Sequence, residues 1–109
     1  MENFNRSIWQ NACTGMITDE CDTLKINYTC LTNYNSNSDS PIFFGNVRTV
    51  DLEVGDYVDE NISLGLGFLD ELGVGDVLFV NGSSKFAYFG ELMTRYSIKK
   101  NIEGVIING

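Results

Sequence analysis

The sequence contains no histidine, and this absence excludes several common kinds of active site. Without an imidazole there is no Ser-His or Cys-His nucleophile pair and no histidine-ligated zinc ion. Any acid–base chemistry would have to come from carboxylates, lysine, tyrosine, cysteine or a metal-bound water molecule.

Basic residues are few, with 7 Lys and Arg against 15 Asp and Glu, which gives a formal net charge of −8. They are scattered along the chain, and only Lys99 and Lys100 are adjacent. Since a nucleic acid or an anionic membrane requires clustered positive charge, we expect neither as a partner. Acidic residues crowd between Asp51 and Glu60, in a stretch that is either a solvated surface or a region that attracts a basic partner.

Long apolar runs are missing as well. The first ten residues lack the apolar region of a signal peptide, and no run approaches the length of a membrane span. The cysteines Cys13, Cys21 and Cys30 are odd in number and lack a Cys-x-x-Cys spacing, so we expect reduced, buried thiols. Together these features favour a cytoplasmic protein.

The length of 109 residues and the hydrophobic content of 43% fit a single domain over residues 1–109. In its first part, Thr18 predicts the N-cap of a helix that continues to Leu24. The alternation of apolar and polar residues from Ile26 to Cys30 favours a short strand. Residues 33–41 are rich in Asn and Ser and predict a surface loop.

The remainder of the chain alternates strand and helix patterns. Residues 47–52 predict a strand, and Leu64, Phe68 and Leu72 have the spacing of one helix face. The continuous apolar run at 77–80 predicts a strand buried on both faces. A helical pattern at 89–96 and a second buried strand at 105–107 follow. Because a strand, a helix and a strand in this order pair as parallel strands, we predict an α/β fold.

Three ordered motifs in the last third resemble the RraA-like family, which includes the regulator of ribonuclease activity A and the class II hydroxymethylglutarate-type pyruvate aldolases. The motifs are Gly75-Asp76-Val77-Leu78-Phe79-Val80-Asn81-Gly82, then Gly90-Glu91-Leu92-Met93, then Gly104-Val105-Ile106-Ile107-Asn108-Gly109. Weaker likeness extends upstream to the segments at 18–24 and 44–50. The resemblance implies an α/β/β layered domain, assembled as a trimer or another homo-oligomer with sites between subunits.

The resemblance also implies a site. In the aldolase branch the backbone amides at Gly90, Glu91 and Leu92 would hold the pyruvyl carboxylate, and Glu91 would help to orient waters on Mg²⁺ or Mn²⁺. The family's Arg-Asp pair would fall just past Gly109, so the resemblance predicts either a fragment of a longer protein or a C-terminally shortened member. The family's Asp-Gly reads Asn108-Gly109 here, which replaces a carboxylate by a neutral amide.

Each of these residues also has a plain structural interpretation. Glu91 is an acid in the first turn of a helix, where the dipole stabilises it, and an isolated strand arginine such as Arg48 usually faces solvent. If the chain is active, the missing pair would be supplied by residues absent from this sequence, by another subunit, or by a substitute such as Arg48 with Asp19 or Asp22.

The sequence therefore predicts an oligomeric RraA-like binding or regulatory protein without catalytic activity. Mg²⁺ or Mn²⁺ is the one cofactor that the resemblance allows, and otherwise none is expected. The alternatives are a shortened domain with no activity of its own and a metal-dependent pyruvate aldolase or oxaloacetate decarboxylase.

Overall fold

The computed structural model describes residues 6–9, 11–37, 39, 42–52, 67–82 and 89–109. The chain divides into two compact units, Met1–Pro41 and Ile42–Gly109, which are described separately below. A single domain over residues 1–109 stays a prediction.

The described residues of the first unit include two helices: α1 spans Arg6–Trp9 and α2 spans Thr14–Leu24. The N-cap of α2 is Cys13 with an extended backbone, so the prediction of Thr18 as N-cap was wrong. The Thr18 hydroxyl donates to the carbonyl of Gly15 at 3.0 Å, a bond made inside the helix rather than at its start. The helix ends at Lys25, whose φ of 57° is left-handed.

The segment after α2 is held by side-chain contact and not by strand pairing. The described residues 26–30 form no strand, which corrects the expectation from their alternation. Instead the Tyr28 hydroxyl donates to Asp22 at 3.0 Å. The described part of the predicted loop, 33–37 and 39, is exposed and irregular, as expected.

The three cysteines are free, but the prediction of buried thiols was wrong. Cys13 and Cys30 are exposed and Cys21 is half-buried. None of the residues of α2 is buried, so the described part of this unit offers its cysteines no apolar interior.

The second unit contains a parallel sheet of three strands in the order β1-β2-β3. Strand β1 spans Asn46–Asp51, β2 spans Asp76–Asn81 and β3 spans Gly104–Asn108. Helix α3, Glu91–Lys99, connects β2 to β3, which confirms the predicted strand-helix-strand unit and the α/β class. Residues 67–70, before β2, are helical, whereas the predicted helix position Leu64 lies outside the described residues.

The hydrophobic core lies on one face of this sheet. Its buried members are Leu69 and Leu72 from the helical segment and Leu78 and Val80 from β2. Residues at alternate positions of a strand share a face, which places Leu78 and Val80 together. Partly buried side chains from the neighbouring elements pack against them: Val50, Phe68, Phe89, Met93, Tyr96, Ile102 and Val105.

Strand β2 is buried on both faces, as the apolar run predicts, because Val77 on the opposite face is only 3% exposed. Strand β3 is half-buried rather than buried, since it lies at the edge of the sheet. On the face of Val77, the ring of Phe43 lies over Gly104, where an added Cβ would come within 2.8 Å of it. Among the described residues, no helix is long and apolar enough to cross a membrane.

Candidate functional site

The three parallel strands end in polar residues that stand in register. Asp51 ends β1, Asn81 ends β2 and Asn108 ends β3, and each is paired with its neighbour across the sheet. Residues paired in this way point to the same face, and the carboxyl ends of parallel strands are the usual location of binding sites in α/β proteins.

These side chains form a hydrogen-bonded ladder. The Asn81 carboxamide donates to the Asp51 carboxylate at 2.8 Å, and the Asn108 carboxamide donates to the Asn81 oxygen at 2.9 Å. The ladder therefore holds one negative charge and two neutral amides, all of them exposed. Sequence reasoning singled out Asn108 as a site residue but missed Asp51 and Asn81. The one available signal is that each comes directly after a valine of a predicted strand, Val50 or Val80.

The N-terminus of α3 lies toward the same end of the sheet. The helix ends near the start of β2, where Gly75 donates to the Asn101 carbonyl and Glu103 donates to the Asp76 carbonyl. Its 9 residues extend about 13 Å from there, antiparallel to the strands. The first turn of α3 therefore points its amides to the carboxyl side of the sheet, where a helix N-terminus favours an anion.

Gly90 is the N-cap of α3 and has an extended backbone with φ −115°. It is exposed, and an added Cβ would meet no described atom within 4 Å. The described residues thus give no steric reason for glycine here. The Gly90 carbonyl accepts hydrogen bonds from the Thr94 amide at 3.0 Å and the Thr94 hydroxyl at 2.9 Å, which fix the first turn.

Glu91 is the first residue of α3, and its carboxylate forms an ion pair. Arg95, one turn further along, approaches a Glu91 carboxylate oxygen to 2.6 Å, and both side chains are largely exposed. Such a pair contributes about 0.3–0.5 kcal/mol to the helix. Leu92, the third residue of the predicted cradle, is exposed.

The remaining predicted site residues lie elsewhere. Arg48 is the third residue of β1, exposed and paired with Leu78 in the middle of the strands, away from their carboxyl ends. Asp19 and Asp22 belong to the first unit, and Asp22 accepts the hydrogen bond from Tyr28.

The described residues at the strand ends do not fit a complete Mg²⁺ or Mn²⁺ site. Such hard cations take oxygen ligands, carboxylates above all. The carboxylate of Glu91 is paired with Arg95, and the amides of Asn81 and Asn108 are bonded within the ladder. Within the described ranges, no group of three or more His, Cys, Asp or Glu side chains could hold a metal ion.

A second polar cluster connects α3 to the helical segment before β2. The Tyr96 hydroxyl donates to the Asp70 carboxylate, and this bond is the main cause that raises the pKa of Tyr96 above 10.0. Lys100 donates to the Asp70 backbone carbonyl at 3.1 Å. Tyr96 and Lys100 thus connect α3 to the helical segment at 67–70 through Asp70.

Comparison with known proteins gives one match. The family model RraA-like, described as Aldolase/RraA, matches residues 14–109. Neither a curated protein nor a solved structure matches the chain.

Proposed function

Since this chain belongs to the RraA-like family, we propose that it acts by binding another protein and not as a lyase. The observation that carries the proposal is the ladder at the strand ends, where Asn108 presents a neutral amide in place of the family's carboxylate and donates to Asn81 at 2.9 Å. In the aldolase branch the acid at position 91 would serve a metal-bound water, whereas Glu91 here lies 2.6 Å from Arg95 on its own helix.

The charge of the chain supports a basic partner. A formal net charge of −8 on 109 residues attracts a positively charged surface and speeds its approach at low salt. Family members are typically oligomeric, and we propose that this chain also self-associates. Oligomerisation would present several copies of one binding surface, which raises the apparent affinity for a partner with repeated basic segments.

The proposal is tested by measuring catalysis and binding on the same purified chain. For catalysis, pyruvate release from oxaloacetate is followed with Mg²⁺ or Mn²⁺, with EDTA as the control. We expect no release beyond that caused by the metal alone. Metal-dependent turnover that Glu91→Gln lowers, and that the exposed-acid control Glu71→Gln leaves unchanged, would overturn the proposal.

For binding, the immobilised chain is incubated with a cell lysate in EDTA and washed with increasing salt. We expect specific proteins to be retained in EDTA and released by salt, because screening weakens attraction between exposed charges. An immobilised acidic protein of similar size and charge serves as the control. Retention of nothing beyond this control would contradict the proposal.

The second candidate function is the metal-dependent pyruvate aldolase or oxaloacetate decarboxylase. It is favoured by Gly90 at the N-terminus of α3, where no described atom lies within 4 Å of an added Cβ and the first-turn amides could hold a carboxylate. In this case Gly90, Glu91 and Leu92 would bind the substrate carboxylate, and Mg²⁺ or Mn²⁺ would supply the Lewis acid with ligands beyond the described residues. The oxaloacetate assay above decides between the two candidates.

A further inference from the structure

We propose that Cys21 and Cys30 form a redox pair, which a small disulfide such as oxidised glutathione converts into a Cys21–Cys30 disulfide. Both cysteines are free in the structure, which therefore represents the reduced form. The two residues, and every contact that brings them together, lie within the first unit. This oxidation site is independent of the proposed binding function.

The chain reverses its direction between the two cysteines. Cys21 lies in the last turn of α2, and the helix ends at Lys25, whose left-handed φ of 57° turns the chain back. The Ile26 amide then donates to the Cys21 carbonyl at 2.8 Å. The return segment, residues 26–30, thus begins in contact with the first cysteine and ends at the second.

Tyr28 holds the middle of the return segment against the helix and has both cysteines as neighbours. Its hydroxyl donates to Asp22, the residue next to Cys21, at 3.0 Å. That bond is the main cause that raises the pKa of Tyr28, and the negative charges that Cys30 and Cys21 can carry raise it further. Because charges on exposed groups act only over short distances, both sulfur atoms lie near this one hydroxyl.

Helix geometry excludes the third cysteine as the partner of Cys21. Cys13 is the N-cap of α2, eight residues before Cys21. At a rise of about 1.5 Å per residue, their Cα atoms lie about 12 Å apart along the helix axis. A disulfide requires Cα atoms within about 7 Å of each other, so Cys13 can pair with Cys21 only if the helix unfolds. The fold therefore leaves Cys30 as the partner of Cys21.

The oxidation consists of two thiol–disulfide exchanges. The thiolate of one cysteine attacks a sulfur of oxidised glutathione, which forms a mixed disulfide and releases one glutathione thiolate. The thiolate of the other cysteine then attacks the protein sulfur of the mixed disulfide and releases the second glutathione. The protons lost by the two cysteines end on the two glutathione thiols. The protein loses two electrons and the small disulfide gains them.

The test identifies which cysteines become linked. The full chain, at low concentration, is equilibrated in mixtures of reduced and oxidised glutathione, and the remaining thiols are then blocked by alkylation. Cleavage after Glu20 and after Lys25 places each cysteine on its own peptide, and mass spectrometry measures the linked pairs. We expect the Cys21–Cys30 disulfide to exceed each of the other two pairings by at least about tenfold.

The same equilibration in concentrated urea is the control for the fold. Without the helix, Cys13–Cys21 and Cys21–Cys30 close loops of nearly equal length, so loop entropy favours neither and the two disulfides should form in comparable amounts.

Two matched variants assign the pair in the folded chain. Cys13→Ser is expected to leave the Cys21–Cys30 disulfide unchanged. Cys30→Ser is expected to abolish the internal disulfide and to leave a glutathione adduct on Cys21, because the helix keeps Cys13 out of reach.

A folded chain that gives the same distribution of disulfides as the chain in urea would overturn the inference. Glutathione adducts without a Cys21–Cys30 link would overturn it as well. So would disulfides between two chains that outweigh the internal one at low protein concentration, or an internal disulfide that persists in Cys30→Ser.

Discussion

At Gly104 the backbone of β3 passes so close to Phe43 that a side chain has no room. An added Cβ would lie 2.8 Å from one ring carbon and 2.9 Å from another. Gly45 is tighter still, because its added Cβ would lie 2.0 Å from the carbonyl oxygen of Gly75. These glycines are explained by packing between the segment before β1 and the sheet, which requires no ligand.

Gly104→Ala is therefore expected to lower the free energy of unfolding by about 1–3 kcal/mol, because the Phe43 ring must move away from the sheet. Urea unfolding measures the change. The control is Gly15→Ala in α2, where an added Cβ meets no described atom within 4 Å. That substitution should stabilise the helix by about 0.5–1 kcal/mol. A Gly104→Ala protein as stable as wild type would contradict this packing argument.

Among the elements, α3 is fixed to the helical segment at 67–70 by both apolar packing and a polar contact. Met93 and Tyr96 pack against the core around Leu69. The Tyr96 hydroxyl reaches Asp70 from the same side of the helix. The polar contact exists only while the tyrosine keeps its proton.

The pKa of Tyr96 is raised above 10.0, first by its hydrogen bond to Asp70 and then by burial. Because the pKa of Tyr96 is higher in the folded state, the folded protein keeps the tyrosine proton to a higher pH than the unfolded chain does. The stabilisation is therefore complete below the unfolded pKa and is lost as pH rises through the folded pKa. We expect urea midpoints measured from about pH 8 to 11 to fall more steeply for wild type than for Tyr96→Phe. Parallel curves would show that the contact contributes nothing.

The sequence pattern correctly predicted the strands and helices whose apolar residues repeat because those residues are buried. Leu78 and Val80 face the core and Val77 is buried on the opposite face, so the continuous apolar run indicates the strand. Met93 and Tyr96 pack against the core, so their spacing indicates helix α3. The strand expected at 26–30 failed because alternation alone does not supply a neighbouring strand, and here Tyr28 binds Asp22 instead. The start of α2 failed because Thr18 can satisfy its hydroxyl within a helix as well as at its N-cap.

The candidate site likewise contains residues that the sequence could locate and residues that it could not. Gly90, Glu91 and Leu92 were located through resemblance, and the structure places them at the first turn of α3 as expected. The ladder of Asp51, Asn81 and Asn108 depends on strand register, which arises from pairing across distant parts of the chain. The Glu91–Arg95 pair has the spacing of a helical ion pair and could have been predicted from it.

At the scale of the whole molecule, the strand edges favour self-association and the net charge opposes it. Strands β1 and β3 are the edges of the described sheet, and such edges favour pairing or coverage by another chain. The net charge of −8 repels a second copy, and added salt screens this repulsion.

Light scattering should therefore give a mass above the 12.2 kDa of one chain, with an increase as salt is raised. This salt dependence is opposite to the one expected for a basic partner, so the two associations are separable in one titration. A mass of 12.2 kDa at every salt concentration would contradict self-association.

The ladder at the strand ends has a further consequence for chemical ageing. Both of its asparagines precede glycine, the sequence in which the following backbone nitrogen most readily attacks the carboxamide carbon and expels ammonia. At Asn81 that nitrogen, on Gly82, is occupied by a hydrogen bond to the Asn108 carbonyl at 2.8 Å. The carboxamide of Asn81 is itself held on both sides. Strand pairing thus slows the conversion of Asn81 to aspartate, which would add a second negative charge to this edge.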